Sequence, residues 1–154
     1  MSQIVQKLSE MGISLPAPAK PAGAYTPVVR DGLIAYVTGQ PAKRDGAVAY
    51  AGKIGTDLTL EEGYEAAKLC VVNELALLEA FAGGLDNVEQ ILKVTGFVNC
   101  APDFTQQPKV VNGASELLLA LFGDAVRHAR SAVGVAALPG NSAVEVEMVV
   151  KLKT

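Results

Sequence analysis

Apolar residues recur along this chain with two periods, and the switches between them mark its elements. Ile4, Leu8 and Met11 fall three and four apart, which predicts a short amphipathic helix over residues 2–12. Leu15 to Pro21 holds three prolines in seven residues and reads as an extended connector. Two strand-like runs follow, 24–30 and 33–38. Asp31-Gly32 between them is a hairpin signal, because glycine tolerates positive φ. Thr38-Gly39 ends the second run, residues 39–46 read as a loop, and 47–51 as a short strand.

The period then becomes helical. Thr59-Leu-Glu-Glu62 is a capping box, and Tyr64, Ala67, Val71, Leu75, Leu78 and Ala82 recur every three or four residues until Gly83-Gly84. Glu61, Glu65, Lys68 and Glu79 fall on the opposite, solvated face. Residues 90–99 read as a strand with Leu92, Val94 and Phe97. A second long helix is predicted from about Gln107 to Phe122, with Pro108 in its first turn, Val111, Leu118 and Phe122 on its stripe, and Gly123 as its stop.

Strands over 131–136 and 143–152 close the chain, with Leu138 to Asn141 as the turn. In the last run Val144, Val146, Met148, Val150 and Leu152 point one way, and Glu145, Glu147 and Lys151 the other. The order β-β-β-α-β-α-β-β mixes hairpins with helices. This predicts a single α+β domain, not a doubly wound parallel sheet.

Composition narrows the function classes. The 154 residues are 50% hydrophobic and 19% charged, as in a folded domain that needs no staple. A net charge of -3 argues against a general nucleic-acid binder. The 2 Cys and 1 His offer no CxxC pair and no His-based metal cluster, so no metal is expected. The first ten residues lack the basic and apolar regions of a secretory signal, and charges interrupt the apolar stretches short of a membrane span. A soluble cytoplasmic protein without membrane contact is the expectation.

Several segments then carry a resemblance. Gly23-Ala24-Tyr25, Val37-Thr38-Gly39-Gln40, Asn112, Arg130-Ser-Ala-Val-Gly-Val135, Leu138-Pro139 and Val144-Glu-Val-Glu147 occur in this order. They resemble the YjgF/RidA family of small reactive-intermediate deaminases, from about Gly23 to the C-terminus. The run from Arg130 through Glu147 is the specific part. The resemblance implies a chorismate-mutase-like fold: one six-stranded mixed sheet with two long helices packed on one face. It also implies a homotrimer with ligand clefts near subunit interfaces. Residues 1–22 form an N-terminal extension, and segments 41–60 and 123–129 depart from the short members. The chain therefore resembles a longer subgroup.

Read from the residues alone, Arg130 is either a strand-end partner of Glu145 or Glu147, or a cleft arginine whose planar fork holds a carboxylate. The resemblance implies the second, with Arg130 and Glu145 catalytic and Glu147 structural. It further implies that Tyr25, Thr38, Gly39 and Asn112 line the pocket. Ala132 stands where many members carry a cysteine and would contribute only backbone. The implied reaction is cofactor-free hydrolysis of enamines or imines, such as 2-aminoacrylate, to 2-keto acids and ammonia. The partner would be a small carboxylate-bearing imine or keto acid. A non-catalytic trimer that binds or senses small carboxylates is the alternative. An endoribonuclease, a label some relatives carry, would need a basic path that this charge balance does not supply. His128 reads as a loop or interface histidine, Cys70 as a small core filler, and Cys100 as a partly exposed strand end.

Overall fold

The two long helices begin and end at local signals in the sequence, a capping box for the first and a first-turn proline for the second. The structure, a computed structural model, describes residues 2–124 and 127–154. In the first long helix, α2 (Leu60–Ala82), Thr59 Oγ1 accepts from the Glu62 N–H at 3.1 Å, and the Glu62 carboxylate accepts from the Thr59 N–H at 3.1 Å. Gly83 ends α2 at φ 72, a left-handed position that costs a residue without Cβ nothing. The second, α3 (Gln107–Phe122), carries Pro108 in its first turn and stops at Gly123. The helices approach closely at Gly113, where a Cβ would run into the Tyr64 carbonyl oxygen. A short helix, α1 (Gln3–Glu10), precedes them and buries Ile4 and Leu8, leaving Met11 exposed beyond its end. Asp86 caps α1 from a distance, accepting from the Ser2 hydroxyl at 2.8 Å and the Gln3 N–H at 2.9 Å. These two bonds hold its carboxyl below the usual range.

One sheet carries the helices. Its strands are β1 (Val28–Asp31), β2 (Ile34–Pro41), β5 (Val88–Asn99), β6 (Ala129–Val135) and β7 (Val144–Leu152), in the order β1-β2-β7-β5-β6. Every neighbouring pair is antiparallel except β5 and β6, whose parallel pairing needs a crossover, supplied by α3. Along β7, between β2 and β5, Val144, Val146, Met148, Val150 and Leu152 are buried under the helices. Each fully buried Leu in this core, among them Leu75, Leu78 and Leu118, contributes about 1.5–3 kcal/mol relative to exposure. No helix among the described residues is long and apolar enough to cross a membrane.

Among the described residues the sheet has five strands, not six. The run at 47–51 does not join it. Instead β4 (Ala47–Val48) pairs with β3 (Lys43–Arg44) in a separate ribbon. The cause is the turn between them, where Asp45 and Gly46 both take positive φ, 53 and 79, as a two-residue hairpin demands. Asn73 fastens this ribbon to α2, donating to the carbonyls of Pro41 at 3.2 Å and Lys43 at 3.0 Å. The first strand also starts later than its apolar run. Pro27 has no N–H to donate, although its carbonyl accepts from the Thr38 N–H at 2.8 Å. Nor does β2 end at Gly39. It passes through a bulge between Val37 and Gln40 and continues to Pro41. Cys100 is buried, not partly exposed. Within the departure expected at 123–129, Ala125 and Val126 lie outside the described residues.

One residue runs against the burial pattern. Glu74, on the sheet-facing side of α2, is fully buried, and neither carboxyl oxygen has a hydrogen-bond partner among the described residues. Burial pushes its carboxyl well up, and the Glu147 and Glu145 carboxylates push the same way. The Gln40 amide pulls the other way without closing a hydrogen bond to either oxygen. Glu74 therefore folds as the neutral acid. Its compatibility with the fold is complete below the usual carboxylate range and is lost as pH rises toward its raised folded value. Glu74→Gln keeps the shape and removes the titration. In thermal melts the variant should match the wild type near pH 4 and exceed it by a gap that widens toward pH 8. A pH-independent difference would show that Glu74 ionises freely.

Candidate functional site

Arg130 enters the structure as the second residue of β6, on the face of that edge strand covered by α3. It pairs in register with Val94, which pairs with buried Met148. Its Nη1 donates to Asn112 Oδ1 at 2.8 Å and to Ser115 Oγ at 3.1 Å, and its Nη2 donates to the Pro108 carbonyl at 3.3 Å. Pro108, Asn112 and Ser115 are i, i+4 and i+7 on α3, so one helix stripe holds the guanidinium. All three acceptors are uncharged. Arg130 makes no ion pair among the described residues, so the strand-end pairing with Glu145 or Glu147 is not formed here.

His128 completes the cluster, with Nε2 2.8 Å from Ser115 Oγ. Burial, then Arg130 and Arg127, lowers its pKa below the ordinary value of 6.5. Burial also lowers Arg130, which remains a cation in any physiological range. A cavity of about 450 Å³ opens on this group, lined by Asn112, Ser115, Glu116, His128 and Arg130 among others. A larger cavity of about 520 Å³ lies between the segment after α1, the β3–β4 ribbon and α2. It contains none of the candidate catalytic or substrate-binding residues.

A second cluster forms at the β2 bulge. There Gly39 lies against the side chain of Glu145, and a Cβ at Gly39 would sit 3.2 Å from its carboxyl carbon. Glu145 is half-buried. Burial first, then Glu147, raises its pKa above the ordinary carboxylate value. Glu147 is exposed on the same side, as the strand period requires. Thr38 is the residue before Gly39 in the bulge. Tyr25 lies at this end of β2, since Pro27 bonds Thr38. It is exposed, and its hydroxyl accepts from the Ala22 N–H at 3.3 Å.

The two clusters do not meet within one chain. Glu145 pairs with Phe97, and Phe97 with Val133, so these share the sheet face that no helix covers. Arg130 is on the other face. The structure thus joins Arg130 to Asn112, and Glu145 to Gly39, with Thr38 the preceding residue and Tyr25 two residues before Thr38's partner Pro27. Ala132, two residues after Arg130, packs its methyl against the core and leaves only backbone at the sheet edge. Sequence reasoning missed Ser115 and Glu74. The i, i+4, i+7 spacing from Pro108 through Asn112 could have revealed Ser115. No pattern distinguishes Glu74, because it occupies a helical position next to the solvated series. No group of three His, Cys, Asp or Glu side chains placed to hold a metal forms among the described residues.

Comparison with known proteins gives four consistent matches. A family profile described as "YjgF/chorismate_mutase-like, putative endoribonuclease" matches residues 5–152. "Protein TCP17" of Trypanosoma cruzi is 44% identical over 151 residues, spanning 97% of this chain and 94% of that protein. A protein of unknown function from Agrobacterium tumefaciens superposes with a TM-score of 0.90 at 38% identity, covering 98% of this chain and 92% of that one. A "putative endoribonuclease" from Shewanella oneidensis superposes at 0.93 with 33% identity, covering 99% and 100%.

The neutral partners of Arg130 set an expectation for stability. Arg130→Ala strands no carboxylate, and the freed Asn112 and Ser115 oxygens face an open cavity that water can enter. Its expected cost in urea unfolding is about 1–2 kcal/mol, below the roughly 3–5 kcal/mol that follows loss of one partner from a buried ion pair. A loss in the higher range would mean that Arg130 has an ionic partner in solution.

Proposed function

Since the chain belongs to the YjgF/chorismate mutase-like family, we propose that it hydrolyses reactive enamines and imines, such as 2-aminoacrylate, to 2-keto acids and ammonia. The observation that carries this reading is the tethered guanidinium of Arg130. A guanidinium has five N–H donors. Both hydrogens of Nη1 and one of Nη2 go to neutral acceptors on α3. Nε–H and the remaining Nη2–H stay unpartnered among the described residues, and their edge of the plane can take a carboxylate in two parallel hydrogen bonds.

The chemistry asks little more than orientation. An enamine takes a proton at carbon to become the iminium ion, which is the imine once a proton leaves nitrogen. Water then adds to the electrophilic C=N carbon, and the carbinolamine collapses with ammonia leaving as C=O forms. No cofactor is required, because holding water against a fixed imine removes much of the entropic barrier. Glu145 is the group suited to orient that water and exchange its proton. Tyr25, Thr38 and Gly39 would line the same wall, while Asn112 and the Ala132 backbone would line the other beside Arg130.

These walls lie on opposite sheet faces of one chain, which favours a site completed between copies. The uncovered face presents Tyr36, Phe97 and Val133, and β6 is an edge strand. A homotrimer would bury that face and bring Glu145 of one copy toward Arg130 of another. Cytoplasmic pyridoxal-phosphate enzymes release the substrates in question, so the protein would act there.

The test couples a separate enzyme that generates 2-aminoacrylate to detection of pyruvate, with and without this protein. The wild type should accelerate the decay. Arg130→Ala should lose at least about ten- to a hundredfold in kcat/KM, the equivalent of one charge-assisted hydrogen bond. Arg130→Lys should be severely impaired, since a point charge cannot make the paired contact. Sedimentation should show a trimer at micromolar concentration. Unchanged decay together with carboxylate binding would instead favour the non-catalytic receptor. Cleavage of RNA without effect on imines would favour the endoribonuclease description of the relatives.

A further inference from the structure

Arg130 would anchor the substrate in the proposed reaction while His128 has no task in it, although the two share one hydroxyl. Ser115 Oγ accepts from Arg130 Nη1 at 3.1 Å and lies 2.8 Å from His128 Nε2. The other ring nitrogen, Nδ1, is buried and has no partner among the described residues. Arg127 and Arg130 face the ring from its own segment. On α3, Glu116 lines the same cavity and accepts from the Tyr64 hydroxyl of α2. The cavity therefore sets two arginines against one carboxylate that is already hydrogen-bonded. In the empty cleft a protonated imidazole would be a third cation in a partly dry space.

A bound anion reverses this balance. A carboxylate on the open edge of Arg130 offsets the nearest positive charge and adds a negative one within a few ångströms of the ring, and an opposite charge at that range favours the charged form. We infer that His128 takes up a proton when a carboxylate occupies the cleft, so that Arg130, Ser115 and His128 form one proton-linked anion receptor. The inference rests on the reading of this cleft as a carboxylate site. Linkage makes the effect reciprocal: if the anion favours the imidazolium, protons favour anion binding. Capture of a 2-keto or 2-imino acid then tightens as pH falls from 8 toward 6. Without His128, only the permanent charge of Arg130 remains and affinity is flat across that range. His128 acts here as a positioning and charge-tuning residue, with no claim to bond breaking.

The chain contains a single histidine, so its imidazole C–H resonances report this residue alone. Titrations by proton NMR should be run on the wild type, on the wild type saturated with pyruvate, and on Arg130→Gln. In the free wild type the midpoint should lie below 6.5. Pyruvate should raise it by about one pH unit, and Arg130→Gln should raise it without any ligand. By calorimetry the pyruvate Kd should fall by up to about tenfold between pH 8 and pH 6, and His128→Gln should abolish that slope while still binding pyruvate at pH 8. If Arg130→Gln leaves the midpoint unmoved, the coupling is wrong. If pyruvate binds but shifts neither the midpoint nor the pH slope, the proton linkage is wrong although the carboxylate reading stands. If Arg130→Gln moves the midpoint and pyruvate does not bind at any pH, the keto-acid reading fails, and the proposed anion linkage fails with it.

Discussion

A strand can turn only alternate side chains toward a layer of helices, and this constraint on β7 organises the rest of the molecule. Val144 through Leu152 commit every second residue to the core under α2 and α3. The intervening residues, Glu145 and Glu147 among them, must then face away. Because β5 and β6 continue the same register, Phe97 and Val133 face away with them, and Arg130 faces inward with Val94. The separation of the two candidate clusters follows from strand geometry and the burial of five apolar residues. Neither group could change sides without a one-residue slip that would expose the entire buried series.

Two local departures from regular structure soften that constraint. The bulge in β2 brings the Gly39 backbone up against Glu145, which an uninterrupted strand would not do. On the helix side, α3 meets β6 with a stripe of neutral acceptors that orient Arg130 without neutralising it. A carboxylate in that stripe would have made a stronger pair and removed the free charge. Among the described residues the charge of Arg130 is thus held in place but left without a counter-ion.

The sequence made the frame legible where one physical signal dominated. Thr59 and Glu62 fixed the start of α2, Pro108 and Gly123 bracketed α3, and the alternation from Val144 to Leu152 assigned the faces of β7. Reading failed where two signals competed. Ala47–Ala51 has the composition of a sheet strand, but the Asp45-Gly46 turn folds it back on Lys43–Arg44 before it can reach the sheet. The continuation of β2 past Gly39 was hidden because glycine and proline are usual loop residues, and a bulge uses the same types. In the site, Arg130 and Asn112 could be singled out and are joined by a hydrogen bond. Ser115 escaped because a lone serine within a helix carries no sequence signal until its spacing from a known partner is examined. Glu74 escaped because a carboxylate in an amphipathic helix is expected on the wet side, and only the three-dimensional packing turns it inward.

The edge position of β6 has a consequence for the history of the protein in the cell as well as for its chemistry. Ala129 to Val135 is a short, small-residue strand whose outer side offers unpaired N–H and C=O groups, the kind of template on which stray chains add. Its one formal charge is Arg130, and a charge within such a segment opposes stacking of identical copies. Arg130 therefore sets a charge within an edge on which newly made chains could otherwise stack.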